Sequence, residues 1–184
     1  MAQERHPSRA EVAAAYGATI PDVIGPGLRV LFVGINPGLY SGATGHHFAR
    51  PGNRFWKALH GAGFTDREYS PFEDPSLLDL GIGITNLIER TTGNADELRP
   101  EEYREGAARL ERKVERWKPA VVAFVGITAY RHAFGRPRAK IGPQEETIAG
   151  ARIWVLPNSS GRTAAYQVPQ LVEAFSALGA TLEG

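Results

Sequence analysis

A chain of 184 residues, 42% hydrophobic and 22% charged, is long enough to bury a continuous core, and one compact domain over 1–184 is expected. No stretch has the apolar length of a membrane span, the N-terminal MAQERHPSRAE has no signal-peptide core, and zero cysteines exclude disulfides and thiolate-held iron–sulfur clusters; a cytoplasmic protein without a membrane partner is expected. The net charge of +1 decides nothing, because a nucleic-acid binder has to concentrate positive charge locally.

Residues 1–26 read as a lead-in. Ser8 and Glu11 have capping-box spacing before the Ala13–Ala15 run, which predicts a short helix. Pro21, Pro26 and nearby glycines then break the chain. Arg29 to Gly34 is short, β-branched and unbroken, as in a strand buried on both faces. A Gly/Pro-rich loop follows to Asn53, and Phe55 and Leu59, four apart, predict a helix over 54–62. Ile82 to Leu87 reads as a second strand. Pro100, Glu101 and Glu102 open a helix over 100–118, with Tyr103, Ala107, Leu110, Val114 and Trp117 forming one apolar stripe before Pro119.

Ala120 to Val125 is a third buried strand, and 128–134 a short helix. Residues 136–150 form a basic, proline-containing loop with room for an edge hairpin. Arg152 to Leu156 is a fourth strand, and 169–178 a closing helix. Strand and helix alternate four times, which predicts a three-layer α/β/α fold around a central, mostly parallel four-stranded sheet. Ligands of such sheets bind at the carboxyl ends of the strands. Two unusual segments lie there, 34–53 and 157–166.

Segment 34–53 is a long Gly/Pro-rich loop whose backbone can approach a ligand closely. It has neither the Gly-x-Gly-x-x-Gly pattern of dinucleotide sites nor the Gly-Lys-Ser/Thr of a phosphate loop. By spacing alone, Asn36 before Pro37 is as much a turn-former as a functional group. Phe48 would be core in an ordinary loop, Asn53 a helix cap, and Arg162 a solvated loop arginine. His46 and His47 suggest a metal, but no carboxylate or third histidine stands near them at ligand spacing.

Gly34-Ile35-Asn36-Pro37-Gly38, Gly45-His46-His47-Phe48 and Pro51-Gly52-Asn53-Arg54-Phe55-Trp56 together resemble the signature of the mismatch-specific uracil-DNA and thymine-DNA glycosylases, family 2 of the uracil-DNA glycosylase superfamily. The match continues through Gly81 to Thr92 and Tyr103 to Gly106, and reaches Leu156 to Arg162, in the family's order over roughly 28–175. The resemblance implies flipping of a mispaired pyrimidine and hydrolysis of its bond to deoxyribose, without cofactor or metal. It makes Asn36 the residue that aligns the water and Phe48 the platform on which the flipped base stacks. Ile35, Pro37, Gly38, Ser41, His47, Asn53 and Asn86 complete the base pocket; the substrate range is not readable from the sequence, Ser41 and Gly42 being candidates to decide whether a 5-methyl group fits once their contacts are known.

Asn158, Ser159, Ser160, Gly161, Arg162 and Thr163 resemble the family's DNA-penetrating loop. Arg162 and the Thr85–Thr92 block are closer to the thymine-DNA branch than to the bacterial branch with its apolar wedge. Arg50, Arg54, Lys57, Arg136, Arg138 and Lys140 are candidate phosphate contacts. The implied partners are double-stranded DNA with G·U or G·T mispairs and the abasic product, bound by a monomer. Two rival readings are a catalytically weak damage- or mismatch-binding protein and a metal-dependent hydrolase using His46 and His47.

Overall fold

The computed structural model describes residues 4–162 and 164–183. Four apolar runs become strands: β1 (Val30–Gly34), β2 (Ile82–Asn86), β3 (Val121–Val125) and β5 (Ala151–Leu156), with β4 (Gly142–Ile148) between the last two in the chain. The sheet order is β2-β1-β3-β5-β4. The first four strands are mutually parallel, and β4 runs antiparallel to β5. Helices α1 (Arg9–Ala14), α2 (Leu39–Thr44), α3 (Phe55–Gly61), α4 (Pro100–Trp117), α5 (Ile127–Phe134) and α6 (Val168–Leu182) fill the connections.

Alternation along the strands builds two cores, because successive side chains leave opposite faces of a sheet. Val30 and Phe32 point to one face and pack with Phe55, Leu59, Leu171 and Phe175 of α3 and α6. Leu31 and Val33 point to the other and pack with Leu110, Val114 and Tyr130 of α4 and α5. Helix α4 carries Pro100 at its first position and ends on Lys118 in a left-handed conformation. Its buried stripe is Tyr103, Gly106, Leu110 and Val114, so Gly106 takes the place expected of Ala107. A Cβ at Gly106 would stand 2.3 Å from the Leu87 carbonyl oxygen. The helix therefore lies directly on the backbone leaving β2.

Four features differ from the expectations. The sheet has five strands, not four: β4, Gly-Pro-Gln-Glu-Glu-Thr-Ile, is a polar edge strand with exposed alternate positions, which hides its identity in a hydrophobicity reading. The 34–53 loop contains α2. Residues Pro71–Leu80 form 3-10 turns with a Ser70–Glu73 capping box. The lead-in also does more than precede the fold: Gly17 N–H donates to the Thr91 carbonyl and Thr91 N–H to Ala18, while Val23 and Ile84 exchange both backbone bonds along the outer edge of β2. No helix among the described residues is long and apolar enough to cross a membrane.

Gly106→Ala forces a methyl group into backbone that cannot move without shifting the end of β2. Urea denaturation should show a loss of about 1–3 kcal/mol. An unchanged midpoint would mean that α4 can lift away from Leu87.

Candidate active site

A cavity of about 300 Å³ opens at the carboxyl ends of the parallel strands. Asn36, Ile35, Pro37, Gly38, Ser41, His47, Phe48, Asn53 and Asn86 all line it, and Asn158, Ser159, Ser160 and Arg162 join them from the loop after β5. Gly161 is outside the lining, against the Gly52 backbone, where a Cβ would meet the Gly52 oxygen at 2.8 Å. Thr163 lies outside the described residues. Of the two candidates for admitting a 5-methyl group, Ser41 lines the cavity, whereas Gly42 is outside the lining and a Cβ there would meet the Thr91 side chain. Ile20 and the Thr92–Ala95 segment also line the cavity. Sequence reasoning missed both, since neither carries a recognisable signal.

Asn36 is the second residue beyond β1 and is half-buried. Its Nδ2 donates to the Arg90 carbonyl at 3.0 Å, to Thr92 Oγ1 at 2.8 Å and weakly to the Pro37 carbonyl at 3.3 Å. Carbonyl oxygens only accept, so these partners fix which amide atom is nitrogen. The Oδ1 accepts no hydrogen bond from a described residue. Arg90 is itself held by a two-pronged pair to Glu102, at 2.5 and 3.1 Å, and donates to the Glu97 carbonyl. The hydrogen bond from Arg90 pulls the Glu102 carboxyl down to about 2, so the pair persists through the ordinary acid range.

Phe48 sits at φ 50°, a left-handed conformation that side chains other than glycine rarely adopt. One face of its ring stacks on the buried Phe55, at 4.2 Å between centroids and 22° between planes. The half-buried ring also lines the cavity. Gly34 makes this arrangement fit: a Cβ there would stand 2.6 Å from Asn86 Oδ1 and 3.4 Å from Phe48 Cζ. Asn86 Nδ2 lies 3.3 Å from His47 Nδ1, and His47 Nε2 lies 2.9 Å from the Pro21 carbonyl. Burial pushes the His47 imidazole below its ordinary value, against the opposing effects of the Pro21 hydrogen bond and of Asp74 and Asp22.

The two histidines diverge. His46 Nδ1 pairs with Asp74 Oδ1 at 2.9 Å, and the other oxygen of Asp74 accepts the His47 backbone N–H. Asp74 is the carboxylate that sequence spacing did not bring near His46; the 3-10 segment delivers it from 28 residues away. No group of three side chains suited to a metal forms among the described residues. Ser41 Oγ accepts from the Ala49 N–H at 3.1 Å and so closes the loop around the histidines.

Asn53 caps and also tethers. Its Oδ1 accepts from the Phe55 N–H and from Ser159 Oγ, each at 3.0 Å. Arg54, expected to face phosphate, turns inward instead. Its guanidinium donates to the Ser160 carbonyl at 2.6 Å, to the Tyr166 carbonyl and, weakly, to Ser159, whose carbonyl also takes the Arg54 N–H. Arg136 is likewise occupied, paired with Glu146 at 2.7 Å. Ser160 N–H to Asn158 Oδ1 and Arg162 N–H to Ser160 Oγ shape the loop from within, leaving the Arg162 side chain exposed at the cavity mouth.

Residues 21–179 match the Uracil DNA glycosylase superfamily. Among solved structures, a protein of Methanosarcina acetivorans, provisionally designated a uracil DNA glycosylase and determined by solution NMR, superposes with a TM-score of 0.63. The two are 22% identical, and the alignment covers 91% of this chain and 99% of that one, which establishes a shared fold.

Arg54→Ala leaves the Ser160 and Tyr166 carbonyls without their charged donor. Limited proteolysis within 158–166 should accelerate by about tenfold, the equivalent of one charge-assisted hydrogen bond. Arg54→Lys should rescue little, because an ammonium cannot reproduce the planar fork. Parent-like resistance in Arg54→Ala would show that the loop holds its shape without the clamp.

Proposed function

The chain belongs to the uracil DNA glycosylase superfamily, and from that premise we propose that it is a monofunctional, mismatch-directed pyrimidine-DNA glycosylase of the uracil/thymine type. It takes uracil opposite guanine in duplex DNA, with thymine in G·T pairs and modified cytosines such as ethenocytosine as further candidate substrates. The observation that carries this reading is the Asn36 amide in the cavity that Phe48 also lines: its nitrogen donates to Arg90, Thr92 and weakly Pro37, and its oxygen accepts from no described residue.

Cleavage of an N-glycosidic bond builds positive charge on the sugar and negative charge on the departing base. An amide oxygen that accepts a hydrogen bond from water can hold that water for attack on C1′, but it cannot remove a proton as a carboxylate can. No Asp or Glu lines the cavity among the described residues. The bond electrons leave with the base, and the backbone N–H groups of the Asn36–Leu39 loop are the donors that would stabilise the pyrimidine oxygen. The Phe48 face suits any pyrimidine and selects little. Arg162 is the side chain suited to fill the space of the flipped nucleotide and to donate to the guanine left behind, whose O6 and N7 accept.

Asn36→Ala should cut single-turnover base release by about 10²- to 10⁴-fold while duplex binding survives. The assay compares U, T and ethenocytosine opposite G with U opposite A and single-stranded U. Near-normal release by the variant would assign the water to another residue, and retention of DNA by a parent that releases no base would favour the mismatch-binding alternative.

Arg162→Ala should lower release most on G·U duplexes, narrow the gap between G·U and A·U, and weaken retention of the abasic product. Equal proportional losses on G·U, A·U and single strands would make Arg162 a phosphate contact or loop support, with mismatch preference arising elsewhere.

A further inference from the structure

A glycosylase that admits uracil has to refuse cytosine, which is far more abundant in DNA and nearly the same shape. Stacking on Phe48 cannot make that distinction; only the Watson–Crick edge differs. Uracil and thymine present an N3–H donor and an O4 acceptor, whereas cytosine presents an N3 acceptor and an N4 donor. Asn86 carries both a donor and an acceptor, and its meaning reverses if the amide rotates by half a turn. Whatever fixes that rotation fixes the substrate.

We propose that His47 is the positioning residue that sets this choice: its Nε2–H tautomer, selected by the Pro21 carbonyl, locks the Asn86 amide with nitrogen toward His47 and oxygen toward the base. The proposal rests on the reading of the cavity as a base pocket. The lock follows from a chain of forced roles. The Pro21 carbonyl can only accept, so His47 Nε2, at 2.9 Å, carries the proton. In the neutral ring Nδ1 is then a bare lone pair, and the Asn86 atom 3.3 Å from it has to be the NH₂ group. Oδ1 is thereby turned over Gly34, where only the missing Cβ leaves it room. It accepts nothing from a described residue, so it is free for an N3–H, with the second N–H of Nδ2 available for O4. Cytosine would set N3 against Oδ1 and its amino group against an N–H, two repulsive pairings in one pocket.

The charged groups around the ring come from three elements. Asp74 from the 3-10 segment and Asp22 from the lead-in favour protonation, His46 from the same loop opposes it, and burial outweighs the rest. The ring therefore stays neutral into mildly acidic solution. Protonation would turn Nδ1 into a donor, favour the rotated amide and invert the reading.

The lead-in thus acquires a function in this scheme. It supplies the Pro21 carbonyl that chooses the tautomer, and the bonds at Gly17, Ala18 and Val23 hold that carbonyl in place.

The test has two arms on the full chain. Nitrogen-15 NMR of the His47 ring from about pH 8 to about pH 5 should show the Nε2–H tautomer with a bare Nδ1, protonating only below the ordinary histidine value of about 6.5. In the second arm, base release is measured from duplexes carrying U or C opposite G. His47→Leu keeps the bulk and removes the acceptor, and should shrink the U-over-C ratio by about tenfold or more. His47→Asn, whose Oδ1 takes the place of Nδ1, should restore much of it. An Nδ1–H tautomer in an active enzyme overturns the lock, as does a U-over-C ratio unchanged in His47→Leu. A parent that releases no base from any duplex overturns the glycosylase reading and the specificity role with it, whereas the lock itself is judged by the spectrum.

Discussion

The hydrogen-bond ladder between β1 and β2 continues past the ends of both strands, and the rest of the site depends on it. Leu87 N–H donates to Gly34, Ile88 to Ile35 and Thr92 to Pro37, at 2.8, 2.9 and 3.2 Å, and Gly38 pairs with Thr92 as a parallel bridge. A parallel pair normally diverges into separate loops. Here the two exits stay hydrogen-bonded to each other, the β2 exit running two residues longer between the Gly34–Asn86 rung and the Gly38–Thr92 bridge, and Asn36 meets the oxygens of Arg90 and Thr92 in that stretch. The same register sets Asn86 beside Gly34, in the sheet's last paired rung. Two side-chain amides with opposed tasks are thus referenced to one rigid frame, and a small displacement of either would cost more in orientation than in contact energy.

A second constraint closes the site from the other side. Asn53 and Arg54 lie immediately before α3, whose Phe55 is fully buried and stacks on Phe48. Their polar groups reach more than 100 residues along the chain to Ser159, Ser160 and Tyr166. The Phe48 ring and the 158–162 loop are therefore parts of one assembly anchored in the core. Arg54 suits this task because a guanidinium offers several donors in a plane and the loop offers several carbonyls. A carbonyl-rich loop without such a donor would have to satisfy its backbone from solvent.

How far the sequence could be read follows the same physics. The parallel strands were legible because burial on both faces demands unbroken apolar runs, and α4 because its cap and stripe are regular. The edge strand β4 was legible only as room for an edge hairpin within 136–150, since half of its positions meet solvent and its composition is that of a loop. Asn36, Phe48 and Asn86 are singled out by motif order, which carries position but not geometry, and the structure places all three around one cavity. The roles of Asp74, Pro21 and Arg54 stayed hidden because each acts on a partner far away in sequence. Arg54 was assigned to phosphate for a related reason: a lone arginine in a motif carries no mark of whether it faces solvent or protein.

That reassignment changes the electrostatic picture of DNA binding on the proposed function. With Arg54 committed to the loop and Arg136 to Glu146, the remaining candidates for phosphate are Arg50, Lys57, Arg138 and Lys140, with Arg162 at the cavity mouth. All five are exposed and none makes an ion pair with a described residue. Some other cations are neutralised in place: Arg90 by Glu102, Arg67 by Glu73, and Lys113 by Asp22. A net charge of +1 is therefore compatible, on the proposed function, with a local surface that attracts a polyanion, because Arg50 and Arg162 both line the cavity and no acid lines it among the described residues. The charge that matters is the charge left unpaired, which no count over the sequence can supply.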